Sequence, residues 1–265
     1  SPFAFTGNKF EFRAVGSSAN SALPMTVLNA IVAAQLIEFK TEVDKQIKKG
    51  TKKDLAILNV VRKYIKDSKA IRFEGNGYSE DWEKEAEARG LSNIKSTPRA
   101  LDVYVKEESL ALFESLGIYT KRESEARHEI LLENFYKKLQ IEARVIEEMV
   151  NNQIAPACFI YQNELIENVK GLKDLGLAAA SFSSQLNFVE RISSHVNTIL
   201  EQAEAMRQER KKANQIEDVR ERSIAYDELV KPYFDVIRYH VNKLEKIVDD
   251  KKWPLPKLRE ILFLS

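Results

Sequence analysis

Apolar residues recur every three or four positions along most of this 265-residue chain, and glycine or proline interrupts the pattern at intervals. That spacing places the apolar side chains on one face of an α-helix, which needs other helices to bury it. The sequence therefore predicts a mainly α fold, a multi-helix bundle. Its first two helices are expected at residues 24–49 and 54–66, with Gly50 as the stop signal between them.

The middle of the chain carries clear signals for helix ends. A short charged helix is predicted at residues 80–89 and is expected to end at Gly90. Thr120 and Glu123 have the spacing of a capping box, in which each side chain bonds to the backbone amide of the other residue. A long helix is predicted to run from this box to about residue 152.

The last third of the chain is predicted to form a long antiparallel helical hairpin at residues 156–250. The helical pattern resumes after Pro156 and runs to about residue 212, loosened at Gly171 and Gly176, and a final helix is expected at residues 217–250. The segment WPLP that follows cannot continue a helix, because proline lacks the amide hydrogen and disfavours helical geometry in the residue before it. It is predicted to return over the bundle as an extended strap.

Composition argues against several classes of protein. Lys and Arg total 41 against 40 Asp and Glu, so the net charge of +1 gives no broad field for nucleic acid or anionic lipid. No apolar run is expected to approach the roughly 20 residues of a membrane span, and no signal-peptide pattern is evident. The single cysteine, Cys158, cannot form an internal disulfide, which suits a cytoplasmic protein.

The opening stretch GNKFEFRAVG, residues 7–16, does not follow the helical pattern. Lys9, Glu11 and Arg13 alternate with apolar residues, so in a strand the three charges share one face. One interpretation is an edge strand whose charges lie in water. The other is a ligand site, with Glu11 binding a divalent cation through oxygen and the two basic residues meeting phosphate or carboxylate.

The amino-acid sequence of this region resembles that of a known family. SPFAFTGNKFEFRAVGSS, residues 1–18, is similar to the last catalytic strand of type III glutamine synthetases. Glu11, Arg13 and Asn20 stand where that family has a metal-binding glutamate, an arginine and an asparagine before a helix. Further matches are FEGNGYS at residues 73–79 and WPLP at residues 253–256. The resemblance therefore extends over the whole chain, which looks like a C-terminal part that begins within the strand motif.

The resemblance implies a domain organisation. Residues 1–50 would be the C-terminal remnant of the catalytic barrel, a short strand plus a helix from an α+β domain, and residues 51–265 would be a helical C-terminal region. The barrel partners of the strand would precede Ser1. The sequence leaves open whether residues 1–15 are then disordered, form a hairpin or pair with another copy.

The resemblance also implies a chemistry. Glutamine synthetases use ATP and Mg²⁺ or Mn²⁺ to join glutamate and ammonia through a γ-glutamyl phosphate. By family position Glu11 would be a metal ligand, and Arg13 would be a catalytic residue that meets the substrate carboxylate or the transferring phosphoryl group. Lys9 would bind nucleotide phosphates, whereas Gly16, Ser17 and Asn20 would be structural and hold the turn between the strand and the helix. The remaining ligands are expected before Ser1, so the chain is expected to be inactive alone and to work within a homo-oligomer.

Two alternatives remain open. The chain could be a helical oligomerisation or interaction module without a catalytic role, or a free-standing helical scaffold. The remaining candidate sites favour structural roles: GNG at residues 75–77 is interpreted as a turn, Cys158 as an inert core thiol, and His195 and His240 as packed or exposed helix residues. His128-Glu129 lacks the second histidine of a zinc-protease motif.

Overall fold

The computed structural model describes residues 3–5, 9–12, 20–77 and 79–262. These residues are mainly α-helical, as predicted, with two short strands, β1 (Phe3–Phe5) and β2 (Phe10–Phe12). The α-helices described are α1 Ala22–Lys48, α2 Lys53–Asp67, α3 Glu80–Ala88, α4 Thr97–Leu101, α5 Glu107–Ser115, α6 Lys121–Met149, α7 Ala155–Asp174, α8 Ser183–Asn214, α9 Val219–Ala225, α10 Pro232–Glu245 and α11 Leu258–Leu262.

The chain divides into two compact units, residues 1–95 with 102–126 and residues 96–101 with 127–265. In the first unit, α1 and α2 form a hairpin around a small core of Val43, Ala56 and Val60. Gly50 lies in the turn between them with φ +92°, so it ends α1 as predicted. Whether residues 1–50 derive from a catalytic barrel stays a prediction.

Helix α1 differs from one expectation. It contains an 18-residue stretch of mean hydropathy 1.5, so by length and composition alone it could cross a membrane. The expectation that no run approaches that length is therefore wrong. Residues 22–37 are mostly apolar and contain no charged side chain, which keeps the mean hydropathy high. Core helices of soluble proteins meet the same criterion, so composition does not assign α1 to a membrane.

The second unit is organised by α8, which lies antiparallel to α6 and α7. Four side-chain contacts show this direction: Gln140 to Asn214, Glu147 to Arg210, Gln162 to Ser193 and Asn168 to Gln185. Residue numbers rise along α6 and α7 while those of their partners on α8 fall, so the helices are antiparallel. Helix α10 packs on another side of α8, where His195 meets His240. The predicted antiparallel hairpin is therefore present.

The first arm of that hairpin is not one helix, however. The pattern predicted a single helix from Pro156 to about residue 212, but α7 ends at Asp174 and the chain reverses before α8 begins at Ser183. Gly176 adopts φ +77° in this reversal and ends α7 as a glycine C-cap. Residues 175–188 contain no charged side chain, so polarity gave no sign of an exposed turn.

Pro156 and Pro232 each follow a π-helical turn that joins two α-helices. The turns are Val150–Ile154, between α6 and α7, and Tyr226–Val230, between α9 and α10. The residue before each proline donates its amide hydrogen five residues back: Ala155 to the Val150 carbonyl and Lys231 to the Tyr226 carbonyl. The wider turn makes room for a ring that would clash in an α-helix. The predicted end near residue 152 is thus a π turn within a continuous helical path.

The C-terminal strap returns onto the bundle as predicted. Trp253 is part of the core that includes α8 and α10, and Leu255 packs against it. Lys257 is only 7% exposed, and its ammonium donates to the carbonyls of Glu245 at 2.7 Å and Val248 at 3.2 Å and to the Asp250 carboxylate. A cation at the C-terminal end of a helix also interacts favourably with the helix dipole. Lys257 therefore ties the strap to the end of α10.

A first prediction compares two glycines near the end of α7 that differ in backbone conformation. Gly176→Ala should lower the free energy of unfolding by about 1 kcal/mol, because an L-residue is strained at positive φ. Gly171→Ala, in the last turn of α7, should raise it by roughly 0.5 kcal/mol, since alanine restricts the unfolded chain. A Cβ would meet nothing within 4 Å at either position. Urea unfolding of both variants checks this, and shifts of the same sign would contradict it.

A second prediction concerns Lys257. Lys257→Met keeps the length of the side chain but leaves the Glu245 and Val248 carbonyls without their donor, so it should destabilise the protein by roughly 1–3 kcal/mol. Lys251→Met is a matched control, because Lys251 is exposed in the same segment and should change stability by less than about 0.5 kcal/mol. Equal midpoints of denaturant unfolding for the two variants would show that the buried ammonium does not anchor the strap.

Candidate functional site

The charged stretch near the N-terminus forms a strand where the alternation predicted one. β2 pairs antiparallel with β1, with Phe3 opposite Phe12, Ala4 opposite Glu11 and Phe5 opposite Phe10. This arrangement is a hairpin, one of the three alternatives left open for residues 1–15. Glu11 lies within β2, and Lys9 lies directly before it, on the same face of the chain.

Lys9 and Glu11 lie close together on this face. The Lys9 ammonium is 3.9 Å from the Glu11 carboxylate, and the two side chains are 67% and 38% exposed. An ion pair with this much exposure contributes between 0 and about 1 kcal/mol to stability. The structure therefore brings together two of the three predicted site residues. Arg13 lies outside the described residues, so its role stays a prediction.

The start of α1 is shaped by Asn20, the last residue of the strand-to-helix motif. The Ala22 amide donates to the Asn20 side-chain oxygen at 2.8 Å. This local bond satisfies an amide at the beginning of the helix and turns the chain into it. Asn20 is therefore structural, as interpreted from the sequence. Gly16 and Ser17, which were expected to share that role, lie outside the described residues.

The donor set around Glu11 does not make a complete metal site. Among residues 3–5, 9–12, 20–77 and 79–262, no group of three or more His, Cys, Asp or Glu side chains is placed to hold a metal ion. Mg²⁺ requires six oxygen ligands in near-octahedral geometry, of which Glu11 offers one carboxylate beside an ammonium group. These residues alone therefore do not complete a Mg²⁺ site, and they carry out no reaction step by themselves.

The GNG segment at residues 75–77 is a turn, as interpreted from its sequence. The ring of Phe73 stacks on that of Trp82 with 3.8 Å between centroids. Gly75 has φ +153°, and a Cβ there would lie 2.8 Å from the Phe73 ring. Arg89 closes the loop by donating to the Arg72 carbonyl at 2.8 Å. The glycine thus permits close approach of an aromatic ring, and phosphate binding is not needed to explain it.

The thiol and two of the histidines also have defined places in the structure. Cys158 is fully buried, and burial raises the pKa of its thiol to about 12, so it is an inert core thiol as predicted. His195 and His240 were interpreted separately, but their Nδ1 atoms lie 2.9 Å apart. No local spacing could reveal this contact, because it depends on how α8 and α10 pair.

Comparison with known proteins identifies the family. Residues 56–173 match the glutamine synthetase C-terminal domain. The chain is 44% identical over 266 residues to a glutamine synthetase of Bacteroides fragilis (strain YCH46), covering 99% of this chain and 36% of that protein. It is 36% identical over 267 residues to the type-3 glutamine synthetase of Dictyostelium discoideum, covering 100% of this chain and 36% of the relative.

The chain thus spans about a third of the length of the curated relatives it matches, 36% of each. Both alignments extend over nearly all of its residues, so they include the strand that carries Glu11 and the C-terminal strap as well as the helical domain. The resemblance first noted in the opening motif therefore holds along the chain. The chain belongs to the glutamine synthetase family, contains its C-terminal domain, and corresponds to a C-terminal part of the type III enzymes.

Proposed function

We propose that this chain is the C-terminal part of an ATP-dependent glutamate–ammonia ligase that forms glutamine through a γ-glutamyl phosphate. The observation that carries the proposal is similarity along the full chain, at 44% identity to one glutamine synthetase and 36% to another. The family implies ATP and a divalent metal in general. Its reaction gathers negative charge on phosphate and carboxylate groups, which fixed cations stabilise.

Within that enzyme, the strand that carries Glu11 would form one wall of the active site. We assign Glu11 as one of several carboxylate ligands to Mg²⁺ or Mn²⁺ and Lys9 as a contact to nucleotide phosphates. Their proximity at the start of β2, with 3.9 Å between the ammonium and the carboxylate, supports a shared ligand. Arg13 follows at the next position of the alternation, and a planar guanidinium suits a carboxylate or phosphoryl oxygen.

The isolated chain is proposed to be inactive. One carboxylate cannot fill the coordination shell of Mg²⁺, so the parent would supply the other ligands from residues outside this chain. The surface of the first unit supports a larger parent, because large apolar side chains on α1 and α2 are exposed: Leu36, Ile37, Leu55 and Ile65. Exposed apolar patches of this kind are typical of surfaces that another protein part covers.

The Glu11 assignment can be tested in the intact parent. Glu11→Gln removes the charge but keeps the shape, and it should lower the rate of glutamine formation by more than about 100-fold, since a direct ligand should matter at least as much as the groups that orient one. The apparent affinity for Mn²⁺ should fall as well. Sedimentation should show the same assembly as the unaltered enzyme.

The control for this experiment is Glu87→Gln, which removes a carboxylate from an exposed position on α3. It should leave both activity and Mn²⁺ affinity unchanged. Normal turnover by the Glu11→Gln enzyme would overturn the proposed role of the strand. Glutamine formation by the isolated 265-residue chain would overturn the proposal that other parts of the parent complete the site.

A second role, as a subunit-contact module, is favoured by one observation in the second unit. An apolar groove of about 570 Å³ lies between α6 and α10, and its lining includes Ile141, Val145, Phe234 and Val241. Charged side chains of both signs, Glu142, Asp235 and Arg238, also line it. A surface with both signs can be complementary to a second copy of itself, so we propose that the groove contributes to a homo-oligomer of the parent.

This proposal predicts different effects from two similar substitutions on α6. Ile141 is 61% exposed and lines the groove, whereas Ile130 is 55% exposed and does not. Ile141→Lys should weaken self-association of the intact parent by about tenfold or more, because a buried charge at an interface is costly. Ile130→Lys should not. Sedimentation over a range of concentrations measures both, and equal behaviour of the two variants would exclude the groove from the interface.

A further inference from the structure

Two histidines from different helices of the second unit meet directly. His195 lies on α8 and His240 on α10, and their Nδ1 atoms are 2.9 Å apart. The ring centroids are 5.1 Å apart and the ring planes are inclined by 61°. Both side chains are partly buried. The contact is therefore a direct link between two helices whose pairing defines one side of the bundle.

The direction of this contact identifies it as a hydrogen bond. The distance between the ring centres exceeds that between the two nitrogens by about the width of one ring, so the nitrogens lie near the line that joins the centres. One N–H then points at the lone pair of the other ring. Two ligands of one metal ion would instead aim their lone pairs at a common third point.

The protonation states that permit this bond are limited. A neutral imidazole has one N–H and one lone pair, so one ring donates from Nδ1 and the other, protonated on Nε2, accepts. A single added proton can also be accommodated, because the acceptor can keep its lone pair on Nδ1. When both rings are protonated, both Nδ1 atoms are donors and no acceptor remains.

We propose that His195 and His240 form an acid-sensitive clasp that holds α8 against α10 when the pair carries at most one positive charge, and releases when both rings are charged. The clasp would make the contact between these two helices depend on pH on the acid side of neutrality, because release requires a second proton beside a ring that is already charged. It does not depend on the parent's catalytic activity.

The groups around the clasp oppose its double protonation. Burial, the charge of His240, and the cations Arg191 on α8 and Lys243 on α10 lower the pKa of His195, with burial the largest cause. The edge of the Tyr239 ring also lies against His240, with 5.1 Å between the ring centroids. A histidine whose pKa is lowered on folding favours the folded state above its unfolded pKa of about 6.5. That contribution is lost as the pH falls toward the folded pKa.

The hydrogen bond itself can be observed in the unaltered 265-residue chain. With ¹⁵N-labelled histidine, a scalar coupling between the two Nδ1 nuclei is expected at pH 8, and it should disappear below about pH 5, where both rings are charged. Because the two rings interact, the titration of His195 should not follow a simple one-site curve. Absence of the coupling at pH 8, or two independent simple titrations, would overturn the proposal.

Variants then separate the clasp from general acid sensitivity. His240→Gln should convert the titration of His195 into a single simple step. In thermal unfolding, the loss of Tm between pH 8 and pH 5 should be smaller in the His195→Gln/His240→Gln protein than in the unaltered chain. His128→Gln, which removes the third histidine of the chain, should keep the unaltered pH dependence. The same loss of Tm in the double variant as in the unaltered chain would count against the clasp.

Discussion

Burial of one stripe along α8 is the constraint on which the second unit depends. Seven buried residues follow each other at alternating spacings of four and three: Ile192, Val196, Ile199, Ala203, Met206, Arg210 and Ala213. That average of 3.5 residues is the repeat of a helix that keeps the same face against long neighbours. The neighbours must therefore be long as well, and the π turn between α6 and α7 supplies this length. It lets the chain pass Pro156 without ending the helical path along α8.

Sequence reasoning located most helix ends because their signals are local. Gly50 and the capping box of Thr120 and Glu123 act through backbone groups within one turn, and the box forms with bonds of 2.8 and 3.3 Å. The misread segments depended on distant contacts. A proline usually ends a helix, but burial against α8 makes a π turn at Pro156 the better solution. The break at Gly176 was interpreted only as a loosening of one helix, because an apolar, uncharged segment is also typical of a helix in the core.

Only the part of the candidate site that lies in one strand segment could be predicted from the sequence. Alternation places Lys9 and Glu11 on one face, and the structure has Glu11 on β2 and Lys9 directly before it, with 3.9 Å between their charged groups. A metal site, however, is assembled from side chains that are distant in sequence, and Glu11 supplies a single carboxylate. The family was recognisable from residues 1–18, since similarity to a family carries information that charge and periodicity of one segment lack. The pairing of His195 with His240 had no such signal, because it arises from the packing of α8 on α10.

The polar contacts along α8 differ in how their charges depend on pH. Arg210 occupies a core position of the stripe, is 9% exposed, and donates to the Glu147 carboxylate at 3.1 Å. Its Nε has no hydrogen-bond partner among the described residues, so burying this side chain costs stability. Buried polar residues in helical cores often have this cost, and in return they fix the register of the packed helices. A guanidinium keeps its charge at every physiological pH. The His195 contact, about 22 Å away along the helix, changes charge near neutrality. The polar contact of α8 with α6 thus pairs a permanent cation with a carboxylate, whereas its polar contact with α10 joins two imidazoles, the side chains that change charge in the mildest acid. Of these two contacts, we expect the one with α10 to respond first to acid.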